Sequence, residues 1–346
     1  MDFSMNSEEY SRLIDLISKI SGTVEPSFRY FQIYYKRGLK FFAQDGCAKL
    51  EFASQIEVPP FSGTYTVPID YARALKTSEQ EKSLVFSLEE KAVKIKTGSE
   101  MLVLEGSREN DIPVMERKFE FSSSYSLTDF KTCLDFASAS SMEGDNIEIF
   151  SQDDQTYFVA SAGRLTLISV LESQTKSQFR LSIPYVTVRH LVKGFESLKV
   201  EEVYTGIGIA ELGIKAGALL FSICSDEASY EPPVELINSE CSSKISRREV
   251  LSALQKISRL SRKGFSILMI SRNSALRFYI RAANLRYECD IPYLNGEEFM
   301  LQVDPHRLHS ALSRIKGSNL CLSTKSGKLL ISSSRGHQHL IIPLIK

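Results

Sequence analysis

The sequence predicts an α+β protein made of three tandem copies of one domain, each with two helices beside antiparallel strands. Three observations carry this. A capped amphipathic helix recurs at a constant spacing of 120 residues. A second, proline-led helix recurs with it. The stretches between them alternate apolar and polar residues, as half-buried strands do.

The clearest copy of the first helix is Ser246–Ser258. Val250, Ala253, Leu254 and Ile257 fall at i, i+3, i+4 and i+7, one apolar stripe, with Ser246 as N-cap and Glu249 as its N3 partner. The same device stands 120 residues earlier as Ser126 and Asp129 followed by Phe130, Cys133, Leu134 and Ala137. It stands again at Asn6 and Glu9 followed by Tyr10, Leu13, Ile14 and Ile17. The second helix starts at Pro68, Pro184 and Pro305, since proline suits the first helical position. Its inward residues are expected at Tyr71, Ala74 and Leu75; at Thr187, His190 and Leu191, or alternatively Val188, Leu191 and Val192; and at Leu308, Ala311 and Leu312. Ser-, Pro- and acid-rich segments at 106–125 and 226–245 read as linkers. The domains are therefore expected at 1–123, 124–242 and 243–346.

Composition bounds the function. The start, MDFSMNSEEY, is acidic and does not read as a signal peptide. No apolar run approaches the roughly 18 residues of a membrane span. Six cysteines lie scattered without CxxC spacing, which reads as reduced thiols in a cytoplasmic protein. A net charge of zero conceals 16 basic and 19 acidic residues in 1–125, 8 and 17 in 126–240, and 18 and 6 in 241–346. The last third alone has the balance of a polyanion binder.

The helix faces opposite the apolar stripes carry Glu8, Arg12, Asp15 and Lys19; Thr128, Thr132 and Asp135; and Arg248, Ser252, Gln255 and Arg259. The second helices add Arg73 and Lys76, Arg189 and Lys193, and Arg314, while Arg262 and Lys263 extend the patch of the third copy. Singly these are solvated faces; together they make a lining for a phosphate backbone. Six helices closed in a circle at about 10 Å spacing would leave no useful bore. Twelve, from two chains, leave roughly 28 Å clear, enough for a duplex of about 20 Å.

Catalytic signatures do not accompany this pattern. Gly206, Gly208 and Gly213 lie in a strand meander rather than a strand-to-helix loop, and no GxxxxGK[ST], GxSxG or HExxH occurs. His306 and His309, with His337 and His339, lack neighbouring ligands at metal spacing. The chain reads as a non-enzyme with no cofactor and no metal.

The repeat, together with VASAGRLTL (159–167), IPYVTVRHLVKGF (183–195), ASYEPPVEL (228–236) and the ending HLIIPLIK (339–346), resembles the bacterial DNA polymerase III β subunit, the sliding clamp. The resemblance runs end to end. It implies three DNA-clamp domains, sheets outside and helices inside, that close head to tail as a homodimer, a six-domain ring around double-stranded DNA. It implies a processivity factor in DNA replication, cytoplasmic and nucleoid-associated, with the replicative DNA polymerase, the clamp loader and other clamp-binding-motif proteins as partners. The family's pocket motif, Thr-Asp-Gly-His-Arg-Leu, reads Ala160 to Leu165 here, so that Arg164 and Leu165 match while Ala162 and Gly163 replace the glycine and histidine. With Ile341, Ile342, Pro343 and Leu344 these two form the implied peptide cleft. The implied dimer contact brings Met101 and Val103 to Leu260. The altered pocket and the acidic middle third also motivate a different reading, a clamp-like interaction module that does not encircle DNA.

Overall fold

The structure, a computed structural model, describes residues 1–22, 25–46, 48–76, 83–109, 119–172, 179–196, 198–208, 211–225, 233–237, 240–261, 266–282, 285–293, 297–333 and 337–345. Its first third runs through β1 (Asp2–Asn6), α1 (Ser7–Ile20), β2 (Tyr30–Tyr35), β3 (Leu39–Asp45), β4 (Ala48–Ala53) and β5 (Thr64–Pro68). It continues with α2 (Ile69–Ala74), β6 (Ser83–Leu88), β7 (Ala92–Thr97), β8 (Glu100–Glu105) and the two-residue β9 (Arg108–Glu109). The middle third comprises β10 (Glu120–Ser126), α3 (Leu127–Ala137), β11 (Asn146–Gln152), β12 (Gln155–Ala162), β13 (Leu165–Glu172) and β14 (Arg180–Pro184). Then come α4 (Tyr185–Phe195), β15 (Glu202–Gly208), β16 (Glu211–Ala216) and β17 (Leu219–Cys224). The last third holds β18 (Ser243–Ser246), α5 (Arg247–Leu260), β19 (Ile267–Arg272), β20 (Ala275–Ala282), β21 (Leu285–Pro292) and β22 (Phe299–Val303). It closes with α6 (Pro305–Arg314), β23 (Asn319–Lys325), β24 (Lys328–Ser333) and β25 (Gln338–Pro343).

Two compact units result, Met1–Leu127 with Arg189–Asp226, and Thr128–Val188 with Glu227–Lys346. The division cuts the middle third because each of its halves shares a sheet with a neighbouring third. In the first unit β1-β6-β7-β8 form one sheet and β10-β15-β16-β17-β4-β3-β2-β5-β9 another; in the second, β14-β11-β12-β13-β25-β24-β23-β18 and β21-β20-β19-β22 do. The strands pair antiparallel throughout the described residues, an α+β arrangement as expected.

One motif generates every sheet. A short strand leads straight into a helix and lies at the edge of a three-strand meander. This holds for β1 with β6–β8, β5 with β2–β4, β10 with β15–β17, β14 with β11–β13, β18 with β23–β25 and β22 with β19–β21. The repeat is thus finer than the sequence suggests, two half-domains to each third. The last strands of four meanders join in pairs: Leu219 to Ile223 of β17 run opposite Phe52 to Ala48 of β4, and Thr166 to Ser169 of β13 opposite Ile341 to Gln338 of β25.

The helices begin where their caps place them. Asn6 accepts from the Glu8 amide at 2.7 Å, Ser246 from Glu249 at 3.4 Å, and Asp304 from His306 and Arg307 at 2.8 and 3.2 Å. The predicted stripes Tyr10, Leu13, Ile14 and Ile17, and Val250, Ala253, Leu254 and Ile257, are buried. Pro305 is the first helical residue, whereas Pro68 is the N-cap of α2 and Pro184 ends β14. That displacement turns α2: Ile69, Ala72 and Leu75 face inward, while Tyr71, expected inside, is 55% exposed and Ala74 is exposed too. In α4 Thr187, Val188, His190 and Leu191 are all buried. The His190 imidazole sits 3.4 Å from the Asp45 carboxylate, yet burial still lowers its pKa below the ordinary value. Gly194 lets α4 approach α1, since a Cβ there would meet Leu16 at 3.4 Å.

Two expectations need correction. Neither expected linker is one throughout, because Glu120–Ser126, overlapping 106–125, pairs with β15, and Ser243–Ser246, overlapping 226–245, pairs with β23. The cysteines are not all thiols: Cys241 and Cys321 form a disulfide that ties the start of β18 to its neighbour β23. Cys133 is free, and burial pushes its thiol up to about 12, which leaves it inert. Among the described residues no helix is long and apolar enough to cross a membrane.

Candidate functional sites

The cationic helix faces divide into exposed and neutralised groups. In the first unit Arg73 and Lys193 are exposed, as is Arg189. Arg12 pairs with Glu8 one turn away, and Lys76 reaches the Asp15 carboxylate at 2.6 Å. Lys19 donates to the Lys193 carbonyl at 3.2 Å, the place where a cation complements a helix C-terminus. In the second unit Arg248 and Arg259 are exposed on α5, and Lys256, which sequence reading passed over, is exposed beside them. Arg314 instead binds the Asp135 carboxylate at 3.0 Å, so its charge is partly neutralised. Arg262 and Lys263 lie outside the described residues.

The cleft residues separate by depth. Leu165 opens β13 and packs with Leu344 against the core cluster that contains Leu340 and Ile342. Leu165 is 2% and Ile342 0% exposed, and both face that cluster, so they form a floor rather than a contact surface; Ile341, 2% exposed, points to the other face of β25. Ile341 packs on a second cluster with Val170 and Leu236. Arg164 is exposed, and Pro343 and Leu344 are half-buried at the end of β25. The Leu344 amide donates to the Gly327 carbonyl at 2.9 Å and that of Ile345 to the Met300 carbonyl at 2.8 Å, which holds these two residues in place. Gly163, at φ 63, makes the turn that presents Arg164.

A residue missed from sequence stands against the same turn. Arg307, in the first turn of α6, brings Nη1 to 3.7 Å from the place a Gly163 Cβ would occupy, and its Nη2 donates to the Met142 sulfur. Its backbone carbonyl accepts from the Ser140 hydroxyl at 3.0 Å, holding that turn of α6 against the segment after α3. A charged residue on the polar face of an amphipathic helix carries no sequence signal that would distinguish it from a solvated one.

The third candidate is a pair of strand edges. β8 and β21 are the two meander ends that pair with nothing among the described residues. On β8 Met101 is 62% and Val103 40% exposed, and Leu260, the last residue of α5, is 45% exposed. The sequence marked these three residues but not β21, whose Leu285, Tyr287 and Cys289 alternate with exposed Arg286, Glu288 and Asp290.

No family model matches the chain, and no curated protein matches it in sequence. Solved structures do match its fold over its full length. The DNA polymerase III subunit beta of Pseudomonas aeruginosa is similar at a TM-score of 0.84 with 16% identity, over 100% of both chains. The beta subunit from DNA polymerase of Streptococcus pyogenes gives 0.84 with 14% identity over 100% of both. DNA polymerase III beta subunit from Thermotoga maritima gives 0.84 with 13% identity, over 100% of this chain and 99% of that one. The chain therefore has the fold of the DNA polymerase III β subunits, the resemblance that its repeat and motifs suggested.

Proposed function

We propose that the chain is a divergent DNA polymerase processivity clamp, a three-domain subunit (1–123, 124–242, 243–346) that dimerises head to tail into a ring around duplex DNA. The observation that carries this reading is the fate of the meander ends. Among the described residues four of the six are satisfied inside the chain, β4 with β17 and β13 with β25, while β8 and β21 remain as open edges. An open edge with exposed Met101 and Val103 is an aggregation hazard unless a partner strand covers it. Pairing β8 of one protomer with β21 of another would join two four-stranded sheets as the internal joints do. Leu260 would pack at that seam.

In such a ring the helices line the bore. Arg73, Lys193, Arg248 and Arg259, with Lys256, would meet phosphates directly. Arg12, Lys19, Lys76, Arg189, Arg314, Arg262 and Lys263 would add to the positive lining. Contacts of this kind read no sequence and leave the ring free to slide. Processivity then needs no chemistry and no cofactor, because the tether is topological. Polymerase, clamp loader and other clamp-binding-motif proteins would dock by short peptides at Arg164, Pro343 and Leu344, over the floor of Leu165 and Ile342, with Ile341 supporting β25 from its other face. Such work belongs in the cytoplasm, at the nucleoid.

Sedimentation equilibrium at micromolar concentration tests the assembly. The expected mass is twice the 39.0 kDa of the chain. A monomer at that concentration would overturn the ring.

A further inference from the structure

We propose that Arg307 gives the peptide cleft a preference for an acidic partner, with the guanidinium groups of Arg307 and Arg164 receiving an aspartate or glutamate side chain of the docked peptide. The inference rests on the docking role given above and specifies its chemistry.

The guanidinium of Arg307 is under-satisfied by its own chain. Nη1 is buried and has no hydrogen-bond partner. Nη2 has only the Met142 thioether, a weak acceptor, and Met142 is itself 55% exposed. Among the described residues no carboxylate pairs with Arg307 or with Arg164, although Arg314 on the same helix is paired with Asp135. A buried guanidinium N–H left unsatisfied is costly, and a carboxylate is the acceptor that matches its planar fork. Asp304, the nearest acid in sequence, caps the helix by accepting from the amides of His306 and Arg307 at Oδ1 and makes no ion pair with the Arg307 guanidinium.

Access and placement agree with this. Gly163 leaves the exposed turn beside Arg307 without a side chain; a Cβ there would lie in van der Waals contact with Nη1, at 3.7 Å, so backbone alone covers the guanidinium on that side. Arg164 follows in the same turn and is exposed. Leu165 follows in turn and joins the cluster on which Leu344 packs. A peptide that set an apolar side chain on Pro343 and Leu344 would thus pass two cations within a few residues. The acid partner would be a side chain within the peptide, able to turn into the Gly163 space while the backbone runs on.

The test uses the full-length protein and a phage-displayed library of random dodecamers, selected in parallel on the wild type and on Arg307→Met. Selected sequences are then made as acetylated, amidated peptides, each with an Asp→Asn or Glu→Gln twin, and titrated by fluorescence anisotropy. Wild-type protein should enrich an acidic residue near an apolar one, and the amide twin should bind about ten- to hundredfold more weakly. On Arg307→Met the acid and its twin should bind alike, and Arg307→Lys should recover only part of the difference, since lysine lacks the fork. Equal melting temperatures exclude misfolding as the cause. Peptides that bind at Leu344, weaken on Leu344→Ala, and ignore both the acid and Arg307 would overturn this inference while leaving the docking role intact. Failure of any peptide to bind would overturn the docking role, and this inference with it.

Discussion

Replacing Met101 and Leu260 together with glutamate is expected to convert the proposed dimer into a 39.0-kDa monomer that melts at the wild-type temperature. Both side chains are exposed in the single chain, at 62% and 45%, so glutamate is tolerated there without partners. At a head-to-tail seam the same carboxylates would be drawn out of water beside apolar neighbours. Glu100 and Glu105 on β8, and Glu288 and Asp290 on β21, already place acids along the two edges. Each seam would be weakened by on the order of 4 kcal/mol, about a thousandfold in dissociation constant. Equilibrium sedimentation reads the result directly. A double variant that still sediments as a dimer would show that β8 and the end of α5 do not form the interface.

The second large effect concerns Arg248 and Arg259. Reversing both to glutamate should weaken binding to duplex DNA, without regard to sequence, by roughly eightfold at 0.1 M salt for each phosphate that is no longer neutralised. The log–log salt slope should fall by about 0.9 for each such phosphate. Arg314→Glu should behave differently. Its partner Asp135 already screens it, so the variant would combine a broken ion pair at the surface with a smaller change in DNA affinity. Anisotropy titrations on duplexes of unrelated sequence, at several salt concentrations, separate these outcomes. An unchanged slope for Arg248→Glu/Arg259→Glu would remove α5 from the DNA-facing surface.

The helices and the threefold plan were legible because their signals are local. Ser246, Asn6 and Asp304 cap from their own sequence neighbourhood, and stripes such as Val250, Ala253, Leu254 and Ile257 need no tertiary information. The edge strands were not legible. Glu120–Ser126 is polar and serine-rich, and only its pairing with β15 makes it a strand; read alone, it looks like a linker. Since the half-domain repeat is built on such strands, it emerged only with the topology. The helix after Pro68 begins one residue later than the usual place of proline implies, and on a six-residue helix that is enough to put Tyr71 outside.

The candidate cleft was legible in outline through Arg164, Leu165 and the last strand, but not in depth. Alternation alone does not say that Leu165 and Ile342 are floor, that Ile341 serves the other face of the strand, and that Pro343 and Leu344 are reachable. Arg307 lies more than 140 residues from Arg164 and joins it only because α6 packs beside the segment that follows α3. Likewise the sequence marked Met101 and Leu260 but could not show that the edges of β8 and β21 both lack a partner strand among the described residues.

Whether duplex DNA runs through a closed ring is decided by covalent closure. A Met101→Cys/Leu260→Cys protein is mixed with nicked circular duplex, sealed with a bis-maleimide, and passed through gel filtration in about 1 M salt, where direct phosphate contacts are stripped. Sealed protein is expected to travel with the circle and to be released when the circle is cut once by a restriction enzyme. Equal release from intact and cut DNA would show that nothing is threaded, and would leave the chain as an interaction module with the fold of a clamp and no DNA through its centre.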